Sequence, residues 1–74
     1  MERFDVVIAN INRNILLNDM ERYVGAMKDG GTLLLSGFYT ADVAKLEERA
    51  NVLGLRLKEQ REREGWAAMW LVKD

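Results

Sequence analysis

The chain has 74 residues, of which 12 are acidic and 11 are basic, and its net charge at pH 7 is −1. This length allows one domain, and the balanced charge shows no sign of the basic surface with which proteins bind nucleic acids. Neither cysteine nor histidine is present, so the sequence predicts no metal site and no nucleophile paired with a histidine base. Hydrophobic residues make up 49% of the chain, which is typical of a folded domain stabilised by apolar packing.

The sequence also argues against membrane insertion and export. The longest uncharged apolar runs, residues 6–9 and 66–72, are too short to span a bilayer. Glu2, Arg3 and Asp5 crowd the amino terminus, which is unlike a signal peptide. We therefore expect a cytoplasmic protein that has no direct contact with a membrane.

The first predicted element is a strand over residues 5–9, which is followed by Asn10. The run Val6-Val7-Ile8-Ala9 is continuously apolar, and such a run is typical of a parallel strand that is buried on both faces. Open α/β sheets bind their ligands beyond the carboxyl ends of the strands. Asn10 is therefore predicted to lie at a ligand-binding position.

A helix is predicted next, capped at its start by Asn12 or Asn14. Its apolar positions recur with helical spacing and are Leu16, Met20, Tyr23, Val24 and Met27. The run Asp29-Gly30-Gly31 is predicted to end this helix, because glycine adopts the left-handed conformation of a helix stop.

The remaining pattern predicts a strand over residues 32–36 that Gly37 ends, and then a helix capped by Thr40. The inner positions of that helix are Val43, Leu46, Ala50 and Leu53, with Gly54 as its stop. Residues 55–61 and 66–72 are predicted strands joined by a turn over residues 62–65. The element order is β-α-β-α-β-β, an α/β fold whose first three strands run parallel and whose carboxyl-terminal hairpin adds an antiparallel strand.

Four motifs in this order resemble the PrmA family of ribosomal protein L11 methyltransferases. They are Phe4-Asp5-Val6-Val7-Ile8-Ala9-Asn10-Ile11, Lys28-Asp29-Gly30-Gly31, Ser36-Gly37 and Glu64-Gly65-Trp66. The resemblance implies a partial Rossmann-like methyltransferase sheet, in which the chain supplies strands 4-5-7-6 of the order 3-2-1-4-5-7-6. Residues 1–74 are then a single domain, the carboxyl-terminal half of a methyltransferase catalytic domain.

The resemblance further implies S-adenosylmethionine as the methyl donor and a large-subunit ribosomal protein as the substrate. Asn10 is the implied catalytic residue beside the methyl donor and the acceptor nitrogen, and Asn10 and Ile11 are the implied cofactor-binding residues. Ile11-Asn12 stands where other amino methyltransferases have the prolines of an Asn-Pro-Pro-Tyr motif. The family's glycine-rich loop and its ribose-binding acidic residue have no counterpart here, so we expect a fragment that is inactive alone.

Other interpretations of the same residues stay open. From its position alone, Asn10 is better explained as a turn or capping residue, and only the resemblance favours catalysis. Phe38 and Tyr39 either face the substrate or pack on the sheet, whereas Trp66 and Trp70 are predicted to cover one face of it. The chain is alternatively a non-catalytic module that pairs through its first strand, an apolar edge that also predicts a homo-oligomer.

Overall fold

The computed structural model describes residues 3–10 and 13–74, which form four strands and two helices. In chain order the elements are β1 (Phe4–Asn10), α1 (Arg13–Gly25), β2 (Met27–Tyr39), a 3₁₀ turn (Thr40–Asp42), α2 (Val43–Val52), β3 (Leu55–Arg63) and β4 (Trp66–Lys73). The predicted β-α-β-α-β-β order is confirmed.

The four strands form one mixed sheet in the order β1-β2-β4-β3. β1 and β2 are parallel, and β4 is antiparallel to both of its neighbours. This is the order that the family resemblance implies. Because β1 and β2 run in the same direction, their carboxyl ends meet at one edge of the sheet, where Asn10 lies opposite Ser36.

The core lies between one face of the sheet and the two helices, and we call this face the covered face. The helices contribute Leu16, Met20, Val24, Val43, Leu46 and Ala50, and the strands contribute chiefly Ala9, Leu33, Leu35, Phe38, Met69 and Leu71. The two helices also contact each other. The predicted apolar stripes are thus confirmed for the residues that lie within the helices, whereas Met27 begins β2 and Leu53 follows the end of α2.

The opposite side of the sheet, which we call the open face, carries exposed apolar side chains, and here the prediction for β1 was wrong. Val6 is 53% exposed and Ile8 is 71% exposed, whereas Ala9 is buried. Successive side chains of a strand point to opposite faces, and both helices lie on the covered face. Within the described part of the chain, one face of β1 is therefore left without a packing layer.

The end of α1 also differs from the prediction. The helix ends at Gly25 rather than at Gly30, and β2 begins at Met27. The Nζ of Lys73 donates hydrogen bonds to the carbonyl oxygens of Val24, at 2.9 Å, and Met27, at 3.0 Å, and so binds carbonyl groups at this helix end.

Gly30 and Gly31 belong instead to an irregular part of β2. Phe4 pairs with Met27 and Val6 pairs with Thr32, so residues 28–31 bulge out of the parallel pairing. A Cβ atom on Gly31 would lie 2.8 Å from the Lys28 carbonyl oxygen and 3.1 Å from that of Asp5. Glycine is needed here because a side chain would collide with the backbone of the bulge itself and with that of β1.

The hairpin of β3 and β4 closes through a turn of two residues, Glu64 and Gly65. Both have positive φ, 51° and 84°, which is the backbone of the turn type that best matches the twist of a hairpin. The predicted turn over residues 62–65 is thus correct in place but shorter. Trp66 begins β4 immediately after the turn.

Candidate active site

An open cleft of about 570 Å³ lies at the carboxyl ends of β1 and β2. It is lined by Asn10, Ser36, Gly37, Arg61, Glu62, Arg63, Trp66, Ala67 and Ala68. The parallel strands supply one wall and the β3–β4 hairpin supplies the other. This is the position at which an open α/β sheet binds its ligand.

Asn10 is the last residue of β1, and it is exposed at the cleft. Its neighbour across the parallel pairing, Ser36, borders the same cleft. The amide of asparagine offers both a donor and an acceptor, so this wall can orient a polar group without taking a proton from it. The predicted placement at a strand end is confirmed, whereas Ile11 and Asn12 lie outside the described residues.

Phe38 and Tyr39 have different surroundings, so they do not form a pair of substrate-facing residues. Phe38 is 1% exposed and belongs to the core, which is incompatible with contact to a substrate in the cleft. The pairing with β4 shifts register between Leu35 and Phe38, and the φ of Gly37 is +86°. Because of this irregularity Phe38 follows Leu35 onto the covered face, and Tyr39 is left 57% exposed.

Trp66 is a cleft residue that the sequence analysis missed. It is 49% exposed, and its ring stacks on that of Tyr39 with centroids 4.5 Å apart and an interplanar angle of 24°. The signal was available in the predicted topology. A strand that begins directly after the hairpin turn and runs antiparallel to β2 must start beside the end of β2, where Ser36 lies.

Trp70 shares a face with Trp66, as predicted, but it is a packing residue. Its Nε1 donates a hydrogen bond to the Oγ1 of Thr32 at 3.3 Å, and the Nζ of Lys58 lies 4.5 Å from the ring centroid. The prediction that both tryptophans cover the sheet therefore holds for Trp70. Trp66, in contrast, presents its ring to the cleft.

The hairpin wall carries charges of both signs at the rim of the cleft. Arg61 lies 3.4 Å from Glu59, and Gln60 donates a hydrogen bond to Glu62 at 2.7 Å. All of these side chains are exposed, so their ion pairing contributes little to stability. Arg63 borders the cleft beside them.

Nothing within residues 3–10 and 13–74 brings together three or more groups that could hold a metal ion. Nor does any helix in those ranges have the length and apolar character needed to span a membrane. The chemistry open to this site is the positioning of a polar ligand by an amide, a hydroxyl and an aromatic wall.

Comparison with known proteins shows which family this chain resembles in sequence. The family model for ribosomal protein L11 methyltransferase (PrmA) matches residues 1–74. A ribosomal protein L11 methyltransferase of Porphyromonas gingivalis is 58% identical over 71 residues, which are 96% of this chain and 24% of the relative. One of Bacteroides fragilis is 51% identical over 69 residues, 93% of this chain and 25% of the relative.

Solved structures share the fold. A ribosomal protein L11 methylase of Lactobacillus delbrueckii subsp. bulgaricus superposes with a TM-score of 0.91 at 20% identity, covering 100% of this chain and 39% of that one. The complex of M1.HpyAVI with SAM has a TM-score of 0.81 at 16% identity, covering 97% and 45%. The chain spans about a quarter of the length of the curated relatives it matches. By its family model and these relatives, the chain belongs to the ribosomal protein L11 methyltransferase family.

Proposed function

We propose that this chain forms the acceptor-binding part of the active site of an S-adenosylmethionine-dependent methyltransferase that acts on a large-subunit ribosomal protein. One observation carries the proposal: Asn10 and Ser36 meet at the ends of parallel strands and face Trp66 across one cleft. The relatives are named as methyltransferases of ribosomal protein L11, and we take this protein as the proposed substrate. Such a substrate favours the cytoplasm, as the sequence analysis expects.

The role proposed for Asn10 is to orient the acceptor nitrogen. Its amide oxygen accepts a hydrogen bond from the N–H of a lysine side chain or of an amino terminus, which directs the nitrogen lone pair to the reacting carbon. Asparagine does not compete for the proton, so the amine remains a nucleophile. The wall formed by Trp66 limits the directions from which the amine can enter.

We propose that the cleft holds the methyl-bearing end of S-adenosylmethionine, because the amide of Asn10 and the hydroxyl of Ser36 both border it. When bound, this cofactor supplies a methyl group on a positively charged sulfur. Asn10 and its neighbour Ile11 are the residues proposed to contact it. The family resemblance assigns the nucleoside to a glycine-rich loop and an acidic residue on strands outside these 74 residues. We therefore expect the 74 residues alone to bind the cofactor weakly and to transfer no methyl group.

The function is tested with a chimera in which this chain replaces the matching segment of the Porphyromonas gingivalis relative, to which it is 58% identical. The chimera is incubated with S-adenosylmethionine and ribosomal protein L11, and mass spectrometry counts added methyl groups of 14 Da each on lysine residues and the amino terminus. Methylation at the level of the unaltered relative supports the proposal. A folded chimera that binds the cofactor but methylates nothing would contradict it.

A second candidate function, a non-catalytic interaction module, is favoured by the exposed β1 edge. Val6 and Ile8 are apolar and more than half exposed on a strand that pairs on one side only within the described sheet. Strands of this kind bind other chains through backbone hydrogen bonds. An active chimera rules against this candidate as the main function, because a pairing module has no need of the cleft.

A further inference from the structure

Tyr39 does not border the cleft, but it contacts Trp66, which does. Its ring stacks on Trp66, which lines the cleft directly. Both rings are about half exposed, at 57% and 49%, and neither belongs to the apolar core. The two residues are partners in the antiparallel pairing of β2 with β4, so the stack is a cross-strand contact that lies outside the apolar core.

Backbone contacts hold the same two segments together. The N–H of Thr40 donates a hydrogen bond to the carbonyl oxygen of Gly65 at 2.8 Å. Thr40 directly follows Tyr39 and Gly65 directly precedes Trp66, so this bond lies next to the stacked pair. The N–H of Tyr39 donates to the Oδ2 of Asp42 at 3.3 Å. The end of β2 is thus fastened both to the hairpin turn and to the turn that follows it. We call the Tyr39–Trp66 stack and the Thr40–Gly65 hydrogen bond the hairpin latch.

We propose that Tyr39 is a positioning residue for the acceptor: through the hairpin latch it holds Trp66, and with it the hairpin wall, at a fixed distance from Asn10. This inference rests on the proposed function, which gives the cleft its acceptor. It revises the expectation for Tyr39, whose side chain acts through Trp66 rather than on the substrate.

Loss of the hairpin latch should change the Michaelis constants for the two substrates differently. Without the stack, the indole samples other positions and the cleft no longer has a single shape. The Michaelis constant for the acceptor protein then rises. The Michaelis constant for S-adenosylmethionine stays the same, because Asn10, which is proposed to contact the cofactor, lies on the β1 wall and not on the hairpin. A general loss of stability would change both constants or neither.

The first test uses the active chimera and three variants. Tyr39→Ala is expected to raise the Michaelis constant for L11 about tenfold, as the loss of one aromatic pair allows, with that for S-adenosylmethionine within twofold. Tyr39→Phe keeps the stacking ring and is expected to restore the value. Val52→Ala is the matched control, since Val52 is 72% exposed and does not line the cleft. An unchanged Michaelis constant for L11 in Tyr39→Ala would overturn the proposal.

Thr40→Pro tests the other half of the latch. Proline has no N–H, so the hydrogen bond to Gly65 is lost, and proline is well accepted at the first position of a helical turn. Tyr39 has a ψ of 157°, the extended conformation that suits a residue before proline. The variant is expected to shift the L11 constant in the same direction as Tyr39→Ala.

A spectroscopic test on the 74-residue chain separates the latch from the proposed function. In a Trp70→Phe background Trp66 is the one remaining tryptophan, because the chain contains two. Tyr39→Ala is then expected to increase acrylamide quenching of Trp66 at least twofold, and Tyr39→Phe to leave it unchanged. Equal quenching in all three proteins would refute the latch. If instead the unsubstituted chimera is inactive while quenching rises as expected, the proposed function fails and the latch stands.

Discussion

The two edges of the sheet are built differently. β3, one edge, presents six consecutive polar or charged residues over 58–63, and its pairing with β4 shifts register between Leu57 and Glu59. β1, the other edge, presents exposed Val6 and Ile8. Charges and irregular pairing are the means by which proteins prevent edge strands from pairing with other chains. The β3 edge is therefore protected against pairing with other chains, whereas the described part of β1 exposes apolar side chains, which is the basis for proposing a partner there.

The same difference holds for the open face near each edge. On the β3 side, Lys58 lies over the ring of Trp70 and shields it. On the β1 side, no described side chain shields Ile8, which is 71% exposed. This contrast indicates that the β1 side is where further structure would complete the proposed enzyme. The curated relatives, of which this chain spans about a quarter, have the length to supply it.

The largest effect is expected from the covered face. Leu71 is 0% exposed beneath the helices, and Leu71→Ala should lower the free energy of unfolding by about 3 kcal/mol, because it leaves a cavity. Ile8→Ala, on the open face, should change it by less than about 0.5 kcal/mol. Urea unfolding measures both. Similar losses in the two variants would mean that the open face is buried in solution.

Self-association through β1 is expected next. The chain should sediment as a mixture of monomer and larger species whose proportion rises with concentration. The double variant Val6→Lys/Ile8→Lys should weaken association by about 100-fold, because lysines on an edge strand block pairing. Glu59→Lys, on the β3 edge, is the matched control and should leave association unchanged. A clean monomer at high concentration would refute the partner role of the β1 edge.

A smaller effect is expected at Lys73, which ties α1 to the sheet. Lys73→Met keeps the apolar stem but loses both hydrogen bonds from Nζ, and it should cost about 1 kcal/mol of unfolding free energy. Lys45→Met, at an exposed position of α2, is the control and should be neutral. Equal midpoints in urea would show that these hydrogen bonds contribute nothing.

The sequence was sufficient for the features that local pattern decides. The element order, the apolar stripes of both helices and the place of the hairpin turn follow from residue spacing and from glycines such as Gly54 and Gly65. The position of Asn10 at a strand end follows from the apolar run before it. The family resemblance added the strand order, which no local pattern contains.

The features that were predicted wrongly depend on distant contacts or on the register of pairing. α1 ends near Val24, where it is bound by Lys73, 49 residues further along the chain. The apolar run of β1 does not reveal that one face lacks a covering layer. The alternatives for Phe38 and Tyr39 stayed open because one register shift near Gly37 decides which face each side chain takes. Trp66 was missed because it becomes a cleft residue only through the antiparallel pairing of β4 with the end of β2.

The account as a whole depends on Asn10 acting at the reacting nitrogen, and one kinetic measurement tests this directly. In the chimera, Asn10→Ala is compared with Asn51→Ala, the same chemical change at an exposed position of α2 outside the cleft. The account predicts that kcat for methylation of L11 falls about 100-fold in the first variant and is unchanged in the second. A kcat for Asn10→Ala within twofold of that for Asn51→Ala would contradict it.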